Sequence, residues 1–154
     1  MDIADLLTSR GVIAQLRASN KRQALQEIAR RAAALSGVAE RRIYDVLAER
    51  ERLGSTGIGR GIAIPHGKLA ELPRLYGLFA RIERPIPFDA IDGKPVDLVF
   101  VLLAPTTAGA EHLRALALVS RLLRDAATCQ KLRGTDNVDA LYALLAARAE
   151  SDAA

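Results

Sequence analysis

The chain has a single cysteine, Cys129, no tryptophan, and only three tyrosines and three phenylalanines in 154 residues. One cysteine excludes an intrachain disulfide framework. Its place near the end of a helical stretch predicts a buried structural thiol, not a reactive one. So few aromatics offer little for base stacking, which argues against a nucleic-acid partner. Half the residues are hydrophobic, yet no run reaches the roughly 18 unbroken apolar residues of a membrane span. Met1-Asp-Ile-Ala-Asp5 carries acid where a secretory leader carries base. The expectation is a cytoplasmic protein with no membrane insertion. Histidine is scarce too, with only His66 and His112 present. Neither stands in a Cys, His or carboxylate cluster at ligand spacing, so no metal is expected and a zinc hydrolase has little support. A serine hydrolase has less, because no Gly-x-Ser-x-Gly elbow is present.

What is present is mostly arginine and aliphatic residues. The net charge of +4 comes from arginine and lysine interleaved with aspartate and glutamate. That pattern reads as solvated helix faces. The length suits one domain over residues 1–150 with a short frayed tail at 151–154. Residues 11–16 predict a strand. Ser19 or Asn20 then caps a helix with Leu25, Ile28, Ala32 and Leu35 on one face, ended by Gly37. A second helix carries Ile43, Val46, Leu47 and Arg50 and stops at Gly54. Beyond it, residues 62–64 are strand-like up to Pro65. Residues 75–82 predict another strand, punctuated by Pro85 and Pro87, and Asp92-Gly93 marks a turn. Residues 96–104 form the near-continuous apolar run of a central buried strand. Residues 111–124 predict a helix with Leu113, Leu116, Val119 and Leu123 inward. Asp136 or Asn137 caps a last helix bearing Leu141, Leu144 and Leu145. The fold class is α/β: one compact domain with a mixed sheet flanked by helices.

The chemistry concentrates in Gly54-Ser-Thr-Gly-Ile-Gly-Arg-Gly-Ile-Ala-Ile-Pro-His-Gly-Lys68. His66 follows a glycine-rich loop and a short apolar stretch, with Pro65 fixing the backbone before it. A neutral imidazole so placed can act as a nucleophile; otherwise it simply ends a strand. The glycines at 57, 59 and 61 lack the spacing of a Walker loop and lead from helix into strand. They are either a tight connection at φ > 0 or a small anion nest beside His66, which makes Ser55, Thr56, Gly57 and Gly59 phosphate-loop candidates. Arg50 is placed either to reach a phosphoryl group on His66 or to serve as a C-terminal helix cation. His112 begins its helix after a loop; taken alone it is a capping or surface residue.

Three segments together resemble a known family. They are Arg50 to Lys68, Phe88-Asp-Ala-Ile-Asp-Gly-Lys-Pro-Val-Asp-Leu-Val-Phe100, and Pro105 through His112-Leu113. The chain resembles the IIA domains of the bacterial phosphoenolpyruvate-dependent phosphotransferase system, in the mannitol/fructose class, and most of all its free-standing nitrogen-regulatory members. The resemblance implies the mannitol-type IIA fold and a phosphocarrier cycle without cofactor. An HPr-like (NPr) phosphohistidine carrier, charged by an enzyme I-like protein, would donate to His66. Arg50 would stabilise the phosphate and His112 would hydrogen-bond or orient it. Regulatory targets, potassium transport or sensor proteins among them, are implied as readers of the phosphorylation state. A sugar-uptake IIA passing phosphate to a IIB domain is the alternative, and a non-catalytic interaction module a further one. One departure from some sugar-transport relatives is Arg60, near a position where they carry an acid.

Overall fold

In the computed structural model, described for residues 1–147, a six-stranded mixed sheet lies between two helical layers. The expected tail at 151–154 lies outside the described residues. The chain opens with α1 (Ile3–Leu6), a 3-10 turn (Ser9–Gly11) and β1 (Val12–Leu16). The helical hairpin α2 (Lys21–Ser36) and α3 (Glu40–Arg52) follows. Three short strands come next: β2 (Gly57–Gly59), β3 (Ile62–Ala63) and β4 (His66–Lys68). Two long strands, β5 (Tyr76–Ile86) and β6 (Val96–Ala104), complete the sheet. Helices α4 (Gly109–Arg124), α5 (Ala126–Arg133) and α6 (Val138–Ala146) close the fold.

The apolar run of residues 96–104 becomes the central strand, for a reason visible in its neighbours. Val99, Val101 and Leu103 face the core beneath α2 and α3. Leu98, Phe100, Leu102 and Ala104 face the second core beneath α1, α4, α5 and α6. A strand covered on both faces has no polar side to show. β6 pairs antiparallel with β5 on one edge. On its other edge it pairs parallel with β3 and then with β4, so Ile62 sits opposite Leu98 and His66 opposite Leu102. β1 lies outside β5 and parallel to it.

The caps follow local chemistry. Asn20 accepts from the Gln23 N–H at 2.9 Å and Asn137 from the Ala140 N–H at 2.9 Å. Gly37 closes α2 at φ +78°, where a side chain would be strained. Cys129 is buried, its Sγ donates to the Leu123 carbonyl at 3.1 Å, and burial pushes its thiol pKa up. Among the described residues no helix is long and apolar enough to cross a membrane.

Three sequence expectations are corrected. The strand at 75–82 runs on to Ile86 and contains Pro85. β1 ends opposite Ile82, so no strand on that side calls for a donor at 85. α4 begins at Gly109, two residues early; Val119 and Leu123 are buried as expected, but in its first turns His112 and Ala115 face inward and Leu113 is 67% exposed. Leu116 is only partly buried. Ala115, Val119 and Leu123 join the core that holds Leu98, Phe100 and Leu102, and that packing selects the inward stripe. The sequence reading also missed α5, which Asp125 caps by accepting from the Thr128 N–H.

Candidate functional site

The glycine-rich segment is a β-hairpin. β2 pairs antiparallel with β3, and the two turn residues Arg60 and Gly61 both take positive φ, +56° and +81°. That is the signature of a two-residue turn matched to strand twist. The hairpin's polar groups are engaged within the fold. The Ser55 hydroxyl donates to the Phe88 carbonyl at 2.7 Å, and the Gly57 N–H to Ser55 Oγ at 3.0 Å. Thr56 donates its N–H and its hydroxyl to the Glu51 carboxylate. Gly59 lies against Asp92, whose carboxylate accepts from the Arg60 N–H at 2.9 Å. The Arg60 side chain reaches the Arg124 carbonyl at 3.3 Å. Twelve residues of α4, about 18 Å of helix, separate that end from His112.

After Pro65 the chain enters β4 at the C-terminal end of β6. His66 is half-buried there, and its Nδ1 stands 2.8 Å from the Ile64 carbonyl oxygen. A carbonyl only accepts, so a neutral ring must place its proton on Nδ1. The lone pair is then on Nε2. Gly67 follows because nothing larger fits: a Cβ there would lie 2.3 Å from Val46 Cγ1. α3 is thereby seated directly on β4. Arg50 lies one turn beyond Val46 on the same helix face. Its Nη1 donates to the Gly54 carbonyl at 2.9 Å, which leaves its other donors uncommitted to that bond.

His112 arrives from the first turn of α4. It is 6% exposed, and its ring centroid lies 5.7 Å from that of His66, tilted by 49°. Burial holds its pKa below the ordinary 6.5, helped by His66 and by Lys68. Its Nδ1 is buried with no hydrogen-bond partner among the described residues. The fold therefore brings together two histidines that the sequence leaves 46 residues apart. Lys68, which the sequence sets beside His66, joins them. It lies two residues from His66, and period two puts both on one face of β4. No group of three or more His, Cys, Asp or Glu gathers at a metal-binding spacing among the described residues.

An imidazole whose Nδ1 is held by a carbonyl, a second, buried imidazole whose pKa is lowered, and the nearby cation Lys68 suit transfer of an anionic group. The family model for the phosphoenolpyruvate-dependent sugar phosphotransferase system, EIIA 2, matches residues 5–148. A nitrogen regulatory protein of Bradyrhizobium diazoefficiens is 52% identical over 146 residues, covering 95% of each chain. The crystal structure of nitrogen regulatory protein IIA-Ntr from Neisseria meningitidis superposes with a TM-score of 0.88 at 32% identity, over 93% of this chain and 98% of that one. The IIA mannitol structure from Escherichia coli shares the fold, with a TM-score of 0.78 at 22% identity, over 91% and 99%. The chain accordingly belongs to the EIIA 2 family of the phosphoenolpyruvate-dependent sugar phosphotransferase system, and within it most resembles the nitrogen regulatory IIA proteins.

Proposed function

We propose that the protein is a phosphocarrier that accepts a phosphoryl group on Nε2 of His66 from an HPr-like phosphohistidine protein. The observation that carries this reading is the Nδ1–Ile64 hydrogen bond, which leaves Nε2 as the nucleophilic atom beside buried His112. The Nε2 lone pair attacks phosphorus in line. The phosphorus–nitrogen bond of the donor breaks, and the donor imidazole keeps the electron pair. No cofactor is needed, because phosphohistidine is already activated. Positioning and charge stabilisation supply the catalysis. Arg50 keeps one donor on Gly54 and turns others to the equatorial oxygens. Lys68 adds positive charge. His112, neutral at pH 7, offers a ring N–H to the phosphate. The donors of Ser55, Thr56 and Gly57, engaged within the fold, serve in this reading to hold the hairpin rather than to cradle phosphate.

Regulation is the proposed output, supported by the nitrogen regulatory relative at 52% identity. Phosphorylation adds roughly two negative charges at a cationic site, enough for partner proteins to distinguish the two states. A regulatory target must bind them with different affinity, since equal binding transmits nothing. The test is reconstitution with phosphoenolpyruvate, an enzyme I-like protein and the HPr-like carrier. One added phosphate by intact mass on wild type and none on His66→Ala is expected. Normal phosphorylation of His66→Ala sinks the acceptor assignment. Rapid onward transfer to a sugar-specific IIB domain, with no partner that discriminates the two states, replaces the regulatory output with sugar uptake.

A further inference from the structure

A buried charged network stands one residue from Arg50. Glu51 is almost fully enclosed, and its carboxylate accepts from Lys21 Nζ at 3.0 Å, from the Thr56 N–H at 3.2 Å and from the Thr56 hydroxyl. Lys21 opens α2 and is itself held over the Phe88 ring at 4.9 Å, with Asp89 at 3.4 Å. Such a group is an expensive way to gain stability. Apolar replacements of buried ion pairs are often neutral or stabilising, and an unpaired survivor is strongly destabilising.

The connections of the network suggest a different use. The Thr56 carbonyl accepts from the Ile64 N–H at 3.0 Å. The Ile64 carbonyl, in turn, is the acceptor for His66 Nδ1 at 2.8 Å. A chain of contacts thus links Lys21, Glu51, Thr56 and Ile64 to the acceptor ring, each bond fixing the residue that makes the next. The Glu51 backbone also closes the loop after α3: its main-chain carbonyl accepts from the Gly54 N–H at 3.2 Å, and the Gly54 carbonyl holds Arg50. The buried carboxylate therefore anchors, through Thr56, the segment that leads to the nucleophile.

We propose that Glu51 is a positioning residue for phosphoryl transfer, setting the tautomer and orientation of His66 through Thr56 and Ile64. The inference rests on the acceptor reading for His66. The Glu51 carboxylate fixes the Thr56 backbone, Thr56 in turn holds the Ile64 N–H, and the Ile64 carbonyl is thereby kept in place for His66 Nδ1. That carbonyl selects the Nδ1–H form and leaves Nε2 free to attack. Loss of the carboxylate charge frees the ring to sample the other tautomer, whose Nε2 carries the proton and cannot attack.

The experiment compares wild type, Glu51→Gln, Thr56→Val and their double variant. Leu145→Ala, in the far core, serves as a stability-matched control. Two readouts are taken: the His66 ring signals by proton–nitrogen NMR, and the single-turnover transfer rate from the charged carrier. In Glu51→Gln, mixed ring tautomers and a rate about ten- to a hundredfold lower are expected, the cost of misplacing a reacting group. The carrier concentration giving half-maximal rate should stay unchanged. Losses in the double variant should fall short of additive, because both changes loosen the same Glu51–Thr56 contact. Leu145→Ala should keep the wild-type ring spectrum and rate. If Glu51→Gln does not fold, Thr56→Val carries the test: it keeps the Glu51–Lys21 pair and the Thr56 N–H bonds and removes the hydroxyl contact alone, so a smaller shift in the same direction is expected. Wild-type tautomer and rate in both single variants overturn the inference while leaving His66 as acceptor. Absence of phosphate on the wild-type protein overturns the acceptor reading and this inference with it.

Discussion

Arg50→Ala separates transfer from folding by size of effect. In the resting structure the Arg50 guanidinium makes one hydrogen bond, to the Gly54 carbonyl in an exposed loop. Together with its favourable place at a helix C-terminus, that is worth about 1 kcal/mol. For a domain of 154 residues this lowers the melting temperature by only about 2–4 °C. On the proposed phosphocarrier reading, the same side chain meets phosphoryl oxygens in the transition state. Deleting one such electrostatic donor costs about 2–4 kcal/mol, or roughly 30- to 900-fold in rate. Arg50→Lys keeps the charge but cannot hold Gly54 and the phosphate with separate planar donors, so it should fall between. Rapid mixing with charged carrier, quenching and intact mass give the rate; a thermal melt gives the stability. A rate within about twofold of wild type would refute the role, because a contact made only in the transition state must show in that constant. A melting loss well above about 8 °C would assign Arg50 to the fold instead.

Further outcomes follow from the same geometry. Gly67→Ala drives a methyl into Val46, a β-branched residue with little rotamer freedom, and should cost about 1–3 kcal/mol with slower transfer. Val46→Ala in the same chain should recover much of the melting temperature; a Gly67→Ala protein as stable and active as wild type would contradict the close seating of α3 on β4. His112 binds its proton less readily when folded than when unfolded. Its contribution to stability is therefore complete above about pH 6.5 and is lost as the pH falls toward its lowered folded value. Melting temperatures across pH 5–8 should fall on the acid side for wild type and fall less for His112→Gln; parallel curves would count against a buried neutral ring. His112→Ala should still take phosphate on His66, but more slowly or with a shorter-lived product, and phosphate mapped to position 112 would reverse the division of labour.

The strand at Val96–Ala104 could be read directly, because burial on both faces demands an unbroken apolar run and few other elements do. The caps were legible to within one residue, Ser19 or Asn20 and Asp136 or Asn137, since side-chain oxygen and backbone N–H meet within one turn; the structure selects the asparagines. His66 stood out through its neighbours: a proline fixes the approach, and glycines permit the hairpin. Those features are local, and local chemistry is written in order along the chain. The tertiary structure decided what distant segments must settle together. The inward face of α4 was misread at Leu113 because helical periodicity tolerates a shift of one residue, and only packing against the sheet selects His112 and Ala115. That selection places the second imidazole 5.7 Å from the first. Glu51 reads in sequence as one more charge on a solvated helix. It becomes a buried anchor only when α2 brings Lys21 to it and the hairpin returns Thr56, and nothing in the spacing of residues 21, 51 and 56 requires that meeting.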